Sequence, residues 1–294
     1  MLELNQPTRQ IRLILSADDF GLSRSVNRGI AEAFQAGVIS SAGILACGGE
    51  FDDAVAIARA HRDLDVGIHL ALDEERPVLP PDEIPSLVQT NGLFHSRRVL
   101  LKRLLIAGSI EQQEIRAEFA AQIRRCLDAG LNLSHFNGHG HIHVYPRIRD
   151  SAIAAAREFG IRSCRIPCEP IHVFGRPFRI RAYLRKLLVR WLARGAAAKF
   201  RQAGFEFPDA FRGLIYGGRL SKSSLEHVVN SLPRGKIVEV MTHPGRYNEA
   251  ELAKYAHWKY SWEMELEALL SLREVLHNDK TIEQISFRVF RDSD

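Results

Sequence analysis

The run HFNGHGHIHV holds four histidines, His135, His139, His141 and His143, within nine residues of a chain that carries twelve in all. Imidazoles packed this closely repel one another once protonated and gain most from a divalent cation. Three other stretches offer groups that a metal-assisted reaction needs. SADDFG supplies the adjacent carboxylates Asp18 and Asp19, GIHLAL supplies His69, and MTHPG supplies His243. A carboxylate with two imidazoles and open coordination positions is the ligand set of a hydrolytic divalent site. Such a cation lowers the pKa of a water toward neutrality and polarises a carbonyl. Paired aspartates then divide the work: one ligates, its neighbour stays free as general base on that water, and His243 protonates a leaving amine.

Each piece taken alone also has a structural reading. Aspartates after a strand cap the next helix, a histidine inside an apolar strand is commonly a satisfied core residue, and His-Pro-Gly is ordinary turn chemistry. Alternation sends His139, His141 and His143 to one side only in a regular strand, and the interleaved glycines argue against regularity. Convergence of these groups on one place is what favours chemistry, and that depends on the elements that carry them.

Short apolar runs alternate with helical patterns along the chain. Strands are predicted at 11–17, 41–47, 65–72, 133–138, 163–167, 211–218, 236–243 and 282–289, and helices at 25–37, 51–62, 112–129, 147–159, 183–203, 221–231 and 262–277. This alternation implies βα units and a mostly parallel sheet. The fold class is α/β: a single domain over 1–294, a distorted TIM-like (β/α) barrel of seven or eight parallel strands. No GxGxxG follows the first strand, which argues against dinucleotide binding. In such a barrel the chemistry gathers at the carboxyl ends of the strands. The first strand then delivers Asp18 and Asp19, the third His69, the fourth the histidine run and the seventh His243. Arg165, at the end of the fifth, is placed to steady Asp18 or the substrate, or to form a structural ion pair. The proline-rich stretch within 73–110 reads as an insertion over the barrel mouth.

Composition bounds the rest. Hydrophobic residues at 46% and charged residues at 26% are globular values. No apolar run approaches the roughly 18–20 residues needed to cross a bilayer. MLELNQPTRQ lacks the basic start and apolar core of a secretory signal, so the expected location is cytoplasmic. Cys47, Cys126, Cys164 and Cys168 are scattered without a CxxC pair, so buried reduced thiols are expected.

The motifs ADDFGLSRSVNRGI, GIHLAL, HFNGHGHIHVYP and MTHPG together resemble those of the YdjC-like carbohydrate deacetylases. The resemblance implies a distorted (β/α) barrel that uses one divalent metal to remove acetyl groups from N-acetylated sugars. It implies Asp19, His69 and His139 as metal ligands, Asp18 as general base and His243 as general acid. It also selects His139 over His141, which strand geometry alone leaves open. Zn²⁺ suits two imidazoles and a carboxylate best, with Mn²⁺, Co²⁺, Ni²⁺ or Mg²⁺ compatible. His141 and His143 become substrate-side or supporting residues, and His135 packs within its strand. One position departs from the sugar-deacetylase branch, which has Asp where this chain has Asn137, so the hydrogen bond expected there has a different donor set. The segments EERPVLPPDEIPSLVQTNGLF, CRIPCEP and FRGLIYGGRL are more similar to the hopanoid-biosynthesis-associated (HpnK) branch. That branch implies an N-acetylglucosaminyl hopanoid as substrate.

The charge distribution bears on the substrate independently. From Ile171 to Gly204 there is no acidic residue, while Arg176, Arg179, Arg181, Arg185, Lys186, Arg190, Arg194, Lys199 and Arg201 recur among Leu184, Leu187, Leu188, Trp191 and Leu192. A basic amphipathic helix over 176–203 fits a peripheral contact with an anionic membrane, on the inner face for a cytoplasmic protein. The alternative is a barrel helix with its apolar side on the sheet and its arginines in water. No nucleic-acid motif is present. The sequence leaves the oligomeric state open. Three rival functions remain: a deacetylase of soluble chito-oligosaccharides, a metal-dependent phosphoesterase, and a non-catalytic membrane-surface protein.

Overall fold

The computed structural model describes residues 10–106, 108–173 and 179–291. In chain order its elements are β1 (Ile11–Phe20), α1 (Arg24–Gln35), β2 (Ser41–Ile44), α2 (Phe51–Ala60), β3 (Asp65–Leu70), α3 (Arg97–Leu104), α4 (Gln112–Asp128) and β4 (His135–Gly138). They continue with α5 (Pro146–Glu158), β5 (Ser163–Cys164), α6 (Ile180–Gln202), β6 (Ala210–Arg212), α7 (Lys222–Asn230), β7 (Ile237–Thr242), α8 (Glu249–Leu252), α9 (Trp262–Leu270), α10 (Arg273–Asn278) and β8 (Ile282–Gln284). The strands run in the order β5-β4-β3-β2-β1-β7-β6, and every ladder of this sheet is parallel. β8 pairs with Ile11–Leu13 of β1, on the edge that β2 takes over from Ser16 onward. Between the two outer strands lies no ladder among the described residues, only an isolated bridge from Ser163 to Glu206. The sheet is thus a curled, incompletely closed barrel with helices on its outside.

Period-two alternation explains how one sheet serves both core and site. Leu13, Leu15 and Ala17 of β1 pack into the large hydrophobic cluster beneath the helices, with Ile68 of β3, Phe136 of β4 and Val238 and Val240 of β7. Among the intervening positions Ser16 and Asp18, His69, Asn137, and Glu239 are polar and buried, with the apolar Ile14 and Met241 in the same phase. A barrel lined with Val and Ile would pack itself shut; this one keeps a buried polar groove along its axis.

Several expected elements are shorter than the sequence pattern suggests, β5 among them with two residues in place of 163–167, and three of the others show why. The strand predicted over 211–218 is only β6, because Gly213 takes φ +107°. A turn follows, held by the Glu169 carboxylate, which accepts from the backbone N–H groups of Gly213 at 2.9 Å and Ile215 at 3.0 Å. The strand predicted over 282–289 ends at Gln284, since β2 occupies the rest of that edge, and Phe287–Phe290 form a 3₁₀ turn. The helix predicted over 262–277 breaks into α9 and α10 where the Ser271 hydroxyl bonds back to the Ala268 carbonyl. The insertion carries α3 and buries Ile84, Leu87, Phe94 and Leu100 in the main core. Of the basic segment over 176–203, residues 176–178, Arg176 among them, lie outside the described residues.

Candidate active site at the carboxyl ends of the strands

Consecutive side chains on a regular strand point to opposite faces, so Asp18 and Asp19 could not serve one site without a break. The break is present. The β1–β2 register shifts between Ala17 and Phe20, and Asp19 adopts φ +66°. The histidine run breaks the same way. β4 stops at Gly138, and His139–Val144 form a 3₁₀ turn with Gly140 at φ +56° and His141 at φ +64°. His139 is thereby delivered to the rim next to Asp19, and its successors turn elsewhere.

Asp19, His69 and His139 come together, all buried. Asp19 Oδ1 lies 3.0 Å from His139 Nδ1 and 3.4 Å from His69 Nε2, and the two imidazole nitrogens are 3.3 Å apart. Donors held about 2.1 Å from a tetrahedral cation stand about 3.4 Å from one another, so the three separations fit a shared ion. Among the described residues the buried Asp19 Oδ2 has no hydrogen-bond partner, which fits a metal-ligating carboxylate. His69 Nδ1 meets Asn137 Oδ1 at 2.5 Å, and Asn137 Nδ2 donates to Asp18 Oδ1 at 3.1 Å. The amide fixes the His69 tautomer with its Nε2 lone pair toward Asp19. It also ties the Asp19–His69–His139 set to the second aspartate, a link that a carboxylate at this position could not make by donation. Gly43 on β2 makes room for the pair: a Cβ there would stand 3.2 Å from the Asn137 amide and 3.3 Å from His69 Nδ1.

Asp18 is held by a different partner. The fully buried Arg165 grips it in a fork, Nη1 to Oδ2 at 2.5 Å and Nη2 to Oδ1 at 2.8 Å, and donates Nε to Glu239 Oε1 at 2.8 Å and Nη2 to the Ser16 hydroxyl at 3.2 Å. Burial pushes the Asp18 pKa up, but Arg165, helped by His69, outweighs it and holds the carboxyl at about 2. Asp19 also lies well below the usual range, burial being overcome by His139 and His69. Glu239 goes the other way: burial raises it, and the shared guanidinium only partly compensates.

His243 follows β7. Its backbone N–H donates to Glu265 Oε2 at 2.6 Å, and its Nδ1 stands 3.7 Å from the same oxygen, an ion-pair separation rather than a hydrogen bond. Burial would lower the His243 pKa, but the Glu265 carboxylate raises it above the ordinary imidazole value. The ring packs 4.8 Å from that of Tyr260, and the His139 ring lies 4.9 Å from Trp258. The insertion closes the rim: Arg97 pairs with Asp73 at 2.6 Å and lies against Gly140, where a Cβ would collide with its guanidinium.

The remaining histidines are buried away from this ligand set. His143 donates Nε2–H to the Arg165 carbonyl at 2.9 Å, and burial drops its pKa to about 3. His141 packs edge-on to Phe211, and burial depresses it strongly. His135 stacks on Phe287 at 3.7 Å, with burial lowering its pKa to about 4. Sequence reading missed Glu239, Glu265, Trp258, Tyr260 and the Asp73–Arg97 pair. Glu239 had a signal, a carboxylate on the inward phase of the apolar strand KIVEVMTH. Glu265 had none, because a glutamate on a helix looks solvated until the fold turns it inward.

A model of the YdjC-like protein family matches residues 12–275. A carbohydrate deacetylase of Brevibacillus brevis is 31% identical over 278 residues, 94% of this chain and 98% of that protein. The chain belongs to the YdjC-like family. A carbohydrate deacetylase of Mus musculus is 32% identical over 247 residues, covering 80% of this chain and 78% of the relative. The crystal structure of a putative cellobiose-phosphate cleavage protein from Enterococcus faecalis superposes with a TM-score of 0.74 at 22% identity, across 96% of this chain and 99% of the other. At that identity the superposition speaks for the fold: this YdjC-like chain shares its architecture over nearly its whole length.

Proposed function

We propose that this protein is a divalent-metal-dependent N-deacetylase of acetamido sugars, a hydrolase that yields acetate and a free amino sugar. The observation that carries the reading is one juxtaposition. The Asp19–His69–His139 set shares the carboxyl end of the sheet with an arginine-held carboxylate, Asp18, and a carboxylate-backed imidazole, His243. The name shared by the relatives, carbohydrate deacetylase, supports the substrate class.

Asp19, His69 and His139 would hold the cation, Zn²⁺ by preference. Bound there, it supplies Lewis acidity, acidifying water and stabilising negative charge on the acetyl oxygen. Asp18 is ionised at any working pH and takes the proton of the attacking water, with Arg165 fixing its two oxygens. His243 enters protonated and gives its proton to the departing nitrogen as the C–N bond breaks. Glu265 raises the pKa of that imidazole and so favours its charged form. Trp258 and Tyr260 offer aromatic faces against which a sugar ring can stack. A phosphoesterase with two metals would need more carboxylates than surround this site.

As specific substrate we read an N-acetylglucosaminyl hopanoid, on the strength of the HpnK-like segments and the basic segment 176–203. The four unpaired thiols accord with a cytoplasmic location, and no helix among the described residues is long and apolar enough to cross a membrane. The test compares acetate release by zinc-loaded protein from an N-acetylglucosaminyl hopanoid, from diacetylchitobiose and from no substrate, beside hydrolysis of a phosphodiester. Acetate from the lipid in preference to the disaccharide is expected. Acetate from the disaccharide alone removes the hopanoid assignment, and acetate from neither removes the deacetylase.

A further inference from the structure

α6 is apolar on the wrong side for a barrel helix. The side turned to the protein carries Val189, Ala193, Ala196 and Phe200, small residues for the most part, together with a buried lysine. The larger apolar side chains face out: Ile180 is 58% exposed, Leu184 56%, Leu188 49% and Trp191 71%. Their spacings of four, four and three residues place all four within a stripe about 80° wide at 100° per residue. Basic residues border it on both sides. Arg181 and Lys199 lie on one flank and Arg194 on the other, all exposed, and among the described residues none of the three pairs with a carboxylate.

We propose that this face of α6 docks the protein on an anionic lipid surface. An apolar ridge sinks into the acyl boundary while flanking arginines and lysines reach phosphate headgroups, and a tryptophan sits at the boundary itself. A second copy of the chain fits this surface poorly. A two-fold contact would set the stripe against itself and bring Arg181, Arg194 and Lys199 of one copy against the same cations of the other. From Ile171 to Gly204 no carboxylate is available to neutralise them.

The position of the helix gives the docking a purpose. Arg181, Ala182 and Arg185 of its first turns line a cavity of about 220 Å³ together with Trp258 and Tyr260. Those two aromatic residues are the ones against His139 and His243. A lipid surface held on α6 therefore lies beside a cavity whose aromatic residues Trp258 and Tyr260 also pack against the candidate site. A sugar on a lipid headgroup would enter without leaving the membrane. The docking rests on this surface alone; the purpose rests on the deacetylase reading.

Flotation of the full-length protein with vesicles tests the docking. One set is phosphatidylcholine, the other phosphatidylcholine with about a third phosphatidylglycerol. The protein is expected to float with the anionic set, to lose that binding as salt rises, and to shift its Trp191 emission to the blue. Leu188→Gln with Trp191→Gln should weaken the partitioning about tenfold or more, and Arg194→Glu with Lys199→Glu should abolish the preference for anionic lipid. Both pairs are exposed, so folding and release of acetate from a soluble acetamido sugar should be unchanged. Absence of vesicle binding, equal binding to neutral vesicles, or binding indifferent to Leu188→Gln with Trp191→Gln overturns the proposal. So does a dimer in light scattering that this double substitution dissolves while vesicles are ignored. Failure of the wild type to release acetate from either the soluble sugar or an N-acetylglucosaminyl lipid strikes the deacetylase reading and leaves the docking intact.

Discussion

Asp18 and Asp19 are neighbours in the chain and opposites in environment. Asp19 faces two imidazoles and keeps one buried oxygen without a partner, whereas both oxygens of Asp18 are taken by Arg165. The two substitutions therefore should separate metal from turnover. Asp18→Asn is expected to retain its metal and lose about a hundred- to ten-thousand-fold in kcat, while His139→Ala loses the metal itself; elemental analysis beside acetate release checks both. Metal retained by His139→Ala would refute the ligand set. His243 carries the pH dependence. Its pKa is raised by Glu265, so the proton it must donate persists above the ordinary imidazole range, and kcat/KM falls as pH climbs through that raised value. Glu265→Gln removes the charge that holds the proton. The alkaline limb of the kcat/KM profile should move to lower pH, and an unmoved limb would deny His243 the role of general acid.

At the scale of elements, the site is built from interruptions of regular structure. β1 must lose register to put two adjacent carboxylates on one site, and the histidine run must leave the strand at Gly138. β5, only two residues long, positions Arg165, which links β5 to β1 and β7 through Asp18 and Glu239. Arg165→Met would leave two buried carboxylates without a counter-ion, and a loss of about 3–5 kcal/mol is expected in denaturant unfolding. An effect under about 1 kcal/mol would mean the groove is wetter than its burial indicates. The elements themselves were legible because the chain alternates apolar runs and helical patterns, and a parallel barrel brings strand ends together. The converging positions, Asp18, Asp19, His69, the histidine run and His243, could thus be read from strand ends alone. What could not be read depends on contacts far apart in sequence. Gly213 and the Glu169 carboxylate truncate β6, β2 displaces β8, and Glu265 turns inward only because α9 packs there. Nor does periodicity say which apolar face of α6 is covered, since both faces carry apolar residues.

For the whole molecule, the separations among Asp19, His69 and His139 exist only in the folded state, so metal binding and stability are linked. A cation at about a hundred times its Kd should add about 2.7 kcal/mol to unfolding and raise Tm, and a chelator should reverse the shift. In Asp19→Asn with His139→Ala the shift should vanish; a shift that survives would place the cation elsewhere. In the proposed chemistry a cation at this site and the Asp18 carboxylate together remove an acetyl group from a sugar. The most direct measurement is acetate released from diacetylchitobiose or an N-acetylglucosaminyl lipid by chelator-treated protein, before and after zinc is restored, with Asp18→Asn run in parallel. Release that returns with one equivalent of metal in the wild type, and stays absent in a metal-replete Asp18→Asn, is the predicted result. Release that is indifferent to metal, or undiminished in Asp18→Asn, would contradict it.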